Sequence, residues 1–431
     1  MTPPNARVAY VRWAAVATVV CYSAGYATIG FGLMFFGAAW SLLRRRSFPW
    51  RQTPLDPPLA VFGIVLLVSA IASPYRSIAL IVTPALLLSG AIYFGSFAWL
   101  LEHDPASRMT LLRAWALGAP PAALAGLATV VLGHAERASI PRGVGPNGLG
   151  TTLLLGSLLA LGLGLAPRRR LWERIAWAAC AAVVFAGLLA SGSRASLLGW
   201  LVGALWLGWH RLRPRARAAA AVVAAALVAV GVAAAVSPDV YDATLGPLLA
   251  RAEDVAPDMT DRVLNAPYDI AGNRLKIWGT SLRMLASSPW LGTGFGTFEA
   301  AYAHWKDPDM SSEPFAFNLA LNLAVETGVL GLYAAAWVAQ AGIAEWRRWG
   351  RALQPGRTDP SRPIVAALWV GLLVDQLADN TLFSISTSAA LWLLLAYLAV
   401  PGRPAANGAS GRAVPSRRGA SIEPSAAGMV P

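Results

Sequence analysis

Cysteine and histidine are scarce in this chain, with 2 and 4 copies among 431 residues. Cys21 and Cys180 both fall inside apolar runs. They are expected to be buried thiols, with neither a disulfide nor a metal site to build. Charge is scarce as well, at 13% of residues, against roughly 25% in a soluble domain. Acidic residues are the rarer sign, 22 against 35 basic ones, which leaves a net charge of +13. Such a balance would suit nucleic acid. However, the arginines cluster between apolar segments rather than on a soluble basic surface, and no DNA- or RNA-binding motif accompanies them. Nucleic acid is therefore excluded as a partner. The period-two alternation of barrel strands is missing, and so is any internal repeat. Met1 to Arg12 also lacks the n-region and small-residue cleavage site of a signal peptide, so no cleavable leader is expected.

What the chain has in abundance is apolar length. Hydrophobic residues make up 56% and the mean hydropathy is +0.52, which is not a soluble globular composition. Apolar runs recur at the length of a bilayer-crossing helix, about 17–25 residues. In lipid only helices and closed barrels satisfy their own backbone polar groups. The fold class is therefore an all-α polytopic membrane protein of about twelve transmembrane helices. The expected spans are 9–22, 26–43, 57–73, 76–101, 108–133, 150–166, 173–190, 195–211, 216–236, 318–345, 364–384 and 386–401.

Positive charge sets the orientation. Arg44 to Arg46 with Arg51, Arg168 to Arg170 with Arg174, and Arg211, Arg213, Arg215 and Arg217 fall on alternate connections. So do Arg347, Arg348, Arg351, Arg357 and Arg362, and the four arginines of the tail. Most of the 35 basic residues then share one side, which is cytoplasmic by the positive-inside rule. Both termini are expected inside and the 237–317 segment outside. The organisation is 1–236 with nine helices, 237–317 as a large periplasmic loop with amphipathic helices, 318–401 with three helices, and 402–431 as a disordered cytoplasmic tail rich in Ala, Gly, Pro, Ser and Arg.

With that topology, the basic residues that break the rule are the informative ones: Arg76, Arg137, Arg142, Arg194, Arg251, Arg262, Arg274, Arg283, Lys276 and Lys306. Arg194 sits in the tight turn Ser191-Gly192-Ser193-Arg194 between two spans. A cation there either snorkels to lipid phosphate or clamps an anion. Arg142 lies in a glycine-rich loop before Pro146-Asn147-Gly148, where backbone can approach a ligand and the next helix start offers free N–H groups. Arg274 heads a helix expected over 273–287, whose Leu275, Ile277, Trp278 and Leu282 suit the membrane surface. A salt bridge from Arg274 to Asp261 or Asp269 is the structural alternative. Guanidinium forks bind phosphate bidentately, so together these arginines suggest a phosphate or pyrophosphate site. The loop carboxylates Asp254, Asp258, Asp261 and Asp269 lack a calcium-loop pattern, and no metal site is expected.

His304 is the histidine of the large loop, either a general base or a surface residue. Trp278, Trp290 and Trp305 are membrane anchors or sugar-stacking surfaces. Glu326 and the i, i+4 pair Asp375 and Asp379 fall within apolar segments. They read as buried polar partners for an arginine or as residues near the outer helix end, with a proton path as the alternative.

In this order the residues resemble the O-antigen ligase and O-antigen polymerase group of bacterial envelope glycosyltransferases. The resemblance is carried by Pro146-Asn147-Gly148-Leu149-Gly150 after Arg142, and by Ser191-Gly192-Ser193-Arg194. It continues through Arg274 with Trp278, Pro289 to Gly296, and Asn318 through Glu326-Thr327-Gly328-Val329-Leu330-Gly331. It implies a transfer at the periplasmic face of the bacterial inner membrane. The glycan would pass from undecaprenyl pyrophosphate to a sugar hydroxyl of lipid A-core, completing lipopolysaccharide without metal, cofactor or nucleotide sugar. Arg194 and Arg274 would be catalytic, holding the pyrophosphate with Arg142. Asn147, Lys276, Asn318, Trp278 and Arg76 would line the substrate site. Inversion at the anomeric carbon is the expected course. Polymerases and protein-glycosylating relatives use the same donor. A transporter or flippase would instead carry repeats and mid-membrane charges.

One position departs from the ligase pattern. The frame fits Asn318, Gly328 and Gly331, but the histidine position holds Phe317. Phenylalanine neither accepts a proton nor binds phosphate. Either the chain is an altered, inactive form, or His304 serves instead, or the family histidine only orients substrate.

Overall fold

The computed structural model describes residues 3–45, 49–133, 137–140, 144–166, 169–209, 267–308, 310–311, 313, 315–352, 359–383 and 385–400. Arg142, the expected span 216–236, the first part of the large loop and the tail lie outside them. Among the described residues the regular structure is helical. The helices are α1 (Pro3–Ser23), α2 (Ala27–Arg45), α3 (Asp56–Ala72), α4 (Arg76–His103), α5 (Ser107–Val131), α6 (Pro146–Gly164), α7 (Leu171–Ser191), α8 (Arg194–Trp209), α9 (Pro267–Ser287), α10 (Phe298–Trp305), α11 (Leu319–Ala352), α12 (Ser361–Gln376) and α13 (Ile385–Ala399). Five of them, α4, α5, α6, α7 and α11, are long and apolar enough to cross a membrane. The several apolar helices make this a multi-pass membrane protein. Helices stand at every other expected span within the described residues.

α6 is the axis of the bundle, packed against α5, α7, α8 and α12. Lipid is as apolar as leucine, so small residues that let backbones approach do more for such packing than apolar burial. Gly150 on α6 faces Ser193 and Ser196 of α8, and Gly199 on α8 faces the Gly371 carbonyl of α12. These contacts set the ends of α6, α8 and α12 side by side. α4 packs on α13, and α3 packs on α11.

The loop Pro289–Gly296 and the turn Thr327–Gly328 form one knot of backbone. Gly328 breaks α11 at φ 65°, ψ −168°, a conformation almost confined to glycine. The break frees carbonyls of α11, and the loop takes them: Thr293 N–H donates to Val325 O at 2.9 Å and Gly294 N–H to Glu326 O at 2.8 Å. In return Val329 N–H donates to Pro289 O at 2.8 Å. A Cβ at Gly292 or Gly328 would collide with the facing backbone. Ser69 and Ser73 of the α3 end donate to Leu291, Glu326 and Thr293 carbonyls. Glu326 is buried as expected, but its partner is backbone rather than an arginine: it accepts from Phe298 N–H at 3.0 Å and so holds the start of α10.

The expected helix over 273–287 starts earlier, at Pro267, and only part of its apolar face lies outward. Leu275 and Leu282 are exposed, whereas Ile277 is buried with Met284, Phe298 and Tyr302. Trp278 packs against that same cluster. α12 stops at Gln376, short of the expected 384, which leaves Asp379 in the connection beyond it. Cys21 and Cys180 are free and only partly buried.

Candidate active site

Three elements bring their polar ends together where α7 meets α8. Gly192 closes α7 in the left-handed region, φ 60°, as helix-ending glycines do. Ser193 then serves as the N-cap of α8: its Oγ accepts the Ser196 N–H at 3.4 Å. That turn fixes Arg194 as the first residue of α8.

Arg137 reaches across the turn. Its Nε donates to Ser191 O at 2.8 Å and its Nη2 to Asn147 Oδ1 at 2.8 Å. Asn147, expected to bind substrate, therefore orients an arginine in this arrangement. Arg274 comes from α9 and donates from Nη1 to Ala378 O at 2.8 Å, just past the end of α12. Its guanidinium lies over the Phe317 ring, 5.3 Å from the centroid, within cation–π range. Asp261 and the Asp269 side chain, its alternative partners from sequence, lie outside the described residues.

Asp379 is the acidic member of this cluster. It is 1% exposed, its Oδ1 accepts from Asn380 N–H at 2.8 Å, and its Oδ2 has no partner. Burial pushes its carboxyl up to about 7, the negative field of Asp375 adds to this, and Arg274 and Arg137 oppose it. Burial lowers the Arg137 guanidinium, Asp379 acts against that, and Arg194 and Arg274 repel it further. Burial likewise lowers Arg274, again opposed by Asp379. Arg137, Arg274 and Asp379 thus share one electrostatic neighbourhood, which Arg194 joins through Arg137 and Asp375 through Asp379.

Asp375 does not partner an arginine. Its carboxylate accepts from Thr151 at 2.8 Å, Ser196 at 2.7 Å and Gln376 at 2.7 Å. Those bonds tie α6, α8 and α12 together beneath the cluster, as a buried carboxylate requires. The helix face expected to carry both aspartates does not form, because α12 ends at Gln376 before Asp379.

Other expected site residues divide. Phe317 faces Arg274, and Asn318 donates to Leu377 O at 2.9 Å beside it. Trp278 is not an open sugar platform: its Nε1 donates to Ala316 O at 2.9 Å. Lys276 is exposed on α9. Arg76 is exposed at the start of α4, next to Tyr75. His304 is exposed, with Nδ1 2.9 Å from Ala300 O and 3.4 Å from the Tyr75 hydroxyl, so its recorded contacts lie away from the cluster. Sequence reasoning counted Arg137 among the outward arginines without choosing it. Nothing local distinguishes it, because its position comes from the α7–α8 turn, more than 50 residues on.

The family model described as O-antigen ligase matches residues 178–336. That stretch includes Arg194, Arg274, Phe317 and the Gly328 break. Over that stretch the chain is similar to the O-antigen ligase family. No curated protein matches it. Arg137 and Arg274 are each held by a backbone carbonyl, an arrangement that costs little reorganisation when charge develops.

Proposed function

We propose that this protein is a membrane glycosyltransferase of the O-antigen ligase type. It moves a glycan from undecaprenyl pyrophosphate to a sugar hydroxyl of lipid A-core, at the periplasmic face of the inner membrane. The observation that carries this reading is the convergence of Arg137, bonded to the α7–α8 turn, and Arg274, bonded past the end of α12, on buried Asp379, with Arg194 acting on Arg137. In the proposed topology twelve spans hold the site at the outer headgroups, with both termini cytoplasmic and the 237–317 loop outside.

The reaction is a single displacement. The acceptor hydroxyl oxygen bonds to the anomeric carbon as the bond from that carbon to the pyrophosphate oxygen breaks. The configuration inverts, and undecaprenyl pyrophosphate leaves with the electron pair. Arg194 and Arg274, with Arg137 and Arg142, neutralise the charge that develops on the leaving oxygen. The hydroxyl proton passes to Asp379, a carboxylate with a free oxygen and a pKa near the working range. Phe317 takes no proton and supports the Arg274 guanidinium with its ring. Metal is not required in this scheme, since the compensating charge comes from guanidinia.

The test is product analysis with purified protein, as it stands and as Phe317→His, mixed with undecaprenyl-pyrophosphate-linked glycan and lipid A-core. Glycan on lipid A-core is expected. Lengthened lipid-linked glycan instead would make the protein a polymerase, and no transfer by either form would remove the glycosyltransferase reading.

A further inference from the structure

A second basic feature lies at the other end of the same helix pair. α11 starts beside the end of α12, where Asn318 bonds to Leu377, and finishes beside the start of α12, where Arg362 lies over Trp346. There Trp346, Arg347, Gly350, Arg351 and Arg362 line an open recess of about 630 Å³. The Arg362 guanidinium is 4.4 Å from the Trp346 ring centroid, and its Nε is buried without a partner. Gly350 makes room for it, since a Cβ there would collide with the guanidinium.

The nearby carboxylates bond to other groups, although the charge of Asp359 also reaches Arg362. Glu345 accepts from Arg348 at 2.6 Å. Asp359 accepts from the Ser361 N–H and hydroxyl, and its other oxygen faces Arg108 at 3.9 Å. Among the described residues no carboxylate pairs with Arg347, Arg351 or Arg362. Three such guanidinia in one recess call for an anion with several acceptor oxygens.

A second cavity adjoins the first. An apolar groove of about 450 Å³ runs along α11, lined by Ala336, Ala339, Gln340, Ile343, Ala344 and Arg347. Their spacing of three and four residues places them on one stripe of the helix, and all are exposed. Arg347 belongs to both cavities. A groove lined by three alanines, Gln340 and Ile343 thus meets, at Arg347, a basic recess flanked by an interfacial tryptophan. That combination has the shape and charge order of a phospholipid: tail first, phosphate last.

We propose that this end of α11 and α12 binds an anionic glycerophospholipid. Its phosphate lies on Arg347, Arg351 and Arg362, and one acyl chain lies along Ala336 to Ala344. Basic recesses between membrane helices on the cytoplasmic side take such headgroups, and the charge rule puts this end there. The inference does not depend on the glycan reading.

Native mass spectrometry of the purified full chain tests it, using mixed micelles with equal phosphatidylglycerol and phosphatidylcholine. Phosphatidylglycerol should be retained preferentially, with each arginine worth about fivefold. The triple change Arg347→Gln, Arg351→Gln and Arg362→Gln should erase the preference, while Arg113→Gln, an exposed arginine on α5, should keep it. Ala339→Trp, which fills the groove, should reduce retention of both lipids. If the triple variant melts below wild type, Arg351→Gln alone is used and should lower the preference about fivefold. No preference in the wild type, or an unchanged one in the arginine variants, overturns the proposal. So does full displacement by millimolar inorganic phosphate with Ala339→Trp inert, which would make this a free-phosphate site. A change in oligomeric state by Ala339→Trp, with lipid retained, would make the groove an interface between copies and equally overturn it.

Discussion

The guanidinium of Arg274 lies 5.3 Å from the ring centroid of Phe317, and Phe317 holds a backbone φ of 50°. Among the described residues it is the one non-glycine with positive φ. Bulky residues are poorly suited to that region, whereas histidine and asparagine enter it several times more readily. The backbone at 317 is therefore shaped for a residue such as the family histidine, and the aromatic ring that occupies it still faces the arginine.

Phe317→His should fold at least as well as the unaltered chain, because the substitution relieves a bulky residue at positive φ. If a proton acceptor at 317 assists Asp379, transfer to lipid A-core rises by about 10²–10⁴-fold, the range of general base catalysis. Gel-resolved transfer rates with a parallel thermal melt check both statements. A lower melting temperature would contradict the backbone argument.

Arg274→Ala and Arg194→Ala should each lower turnover by about 10²–10³-fold, the cost of removing one group that stabilises developing charge. Arg137→Ala should fall in the same direction and also loosen the α7–α8 turn, since Arg137 bonds to Ser191 and Asn147. Arg137→Lys should restore some turn stability but little activity, because an ammonium cannot reproduce the fork. Single-turnover rates and melts of the four proteins separate these effects. Unchanged turnover in Arg274→Ala would remove the pyrophosphate clamp.

Asp379 predicts a pH dependence of known sign. Its ordinary value is 3.8 and burial raises it to about 7 in the folded chain. The folded protein therefore holds a proton that the unfolded chain has released between those values. Its contribution to stability is full below about 4 and falls as pH rises to about 7. Asp379→Asn should flatten that part of a melting curve series. Transfer should show the opposite trend, rising through pH 7 as the carboxylate forms, and Asp379→Asn should lose that limb.

Gly328→Ala should destabilise the protein by at least about 1–3 kcal/mol, the cost of a side chain in a glycine-only region. Collision with the Trp290 backbone adds to it. Because the same knot sets α10 and the loop before it, activity should fall with stability. A thermal melt with limited proteolysis between 289 and 296 reads the outcome.

Excess EDTA should leave transfer unchanged in dialysed protein, and added magnesium should not raise it. Loss of activity on chelation would require a metal that the proposed scheme does not use.

The helical frame was legible because a bilayer forces it. Long apolar runs bounded by arginines admit few other structures, and the helices at 57–73, 76–101, 108–133 and 173–190 lie where periodicity and charge put them. The Gly-rich motifs were also visible, although their reason was not. Gly292 and Gly328 matter because two backbones cross there, and nothing in either motif names its partner.

The sequence by itself determined a polytopic helical protein with arginines clustered between its apolar runs, and it offered a set of arginines suited to an anion. Only the tertiary structure decided which of them meet. Arg137 comes from the α5–α6 connection, Arg194 from the start of α8, Arg274 from α9 and Asp379 from beyond the end of α12. Local spacing cannot encode that gathering, because it is produced by close packing of α6, α8 and α12 and by the turn that Gly192 permits. The same packing separated Asp375, buried in hydroxyl bonds, from Asp379, left with a free oxygen among cations. Two aspartates four residues apart received different chemistry because one points into the bundle and the other lies beyond the helix end.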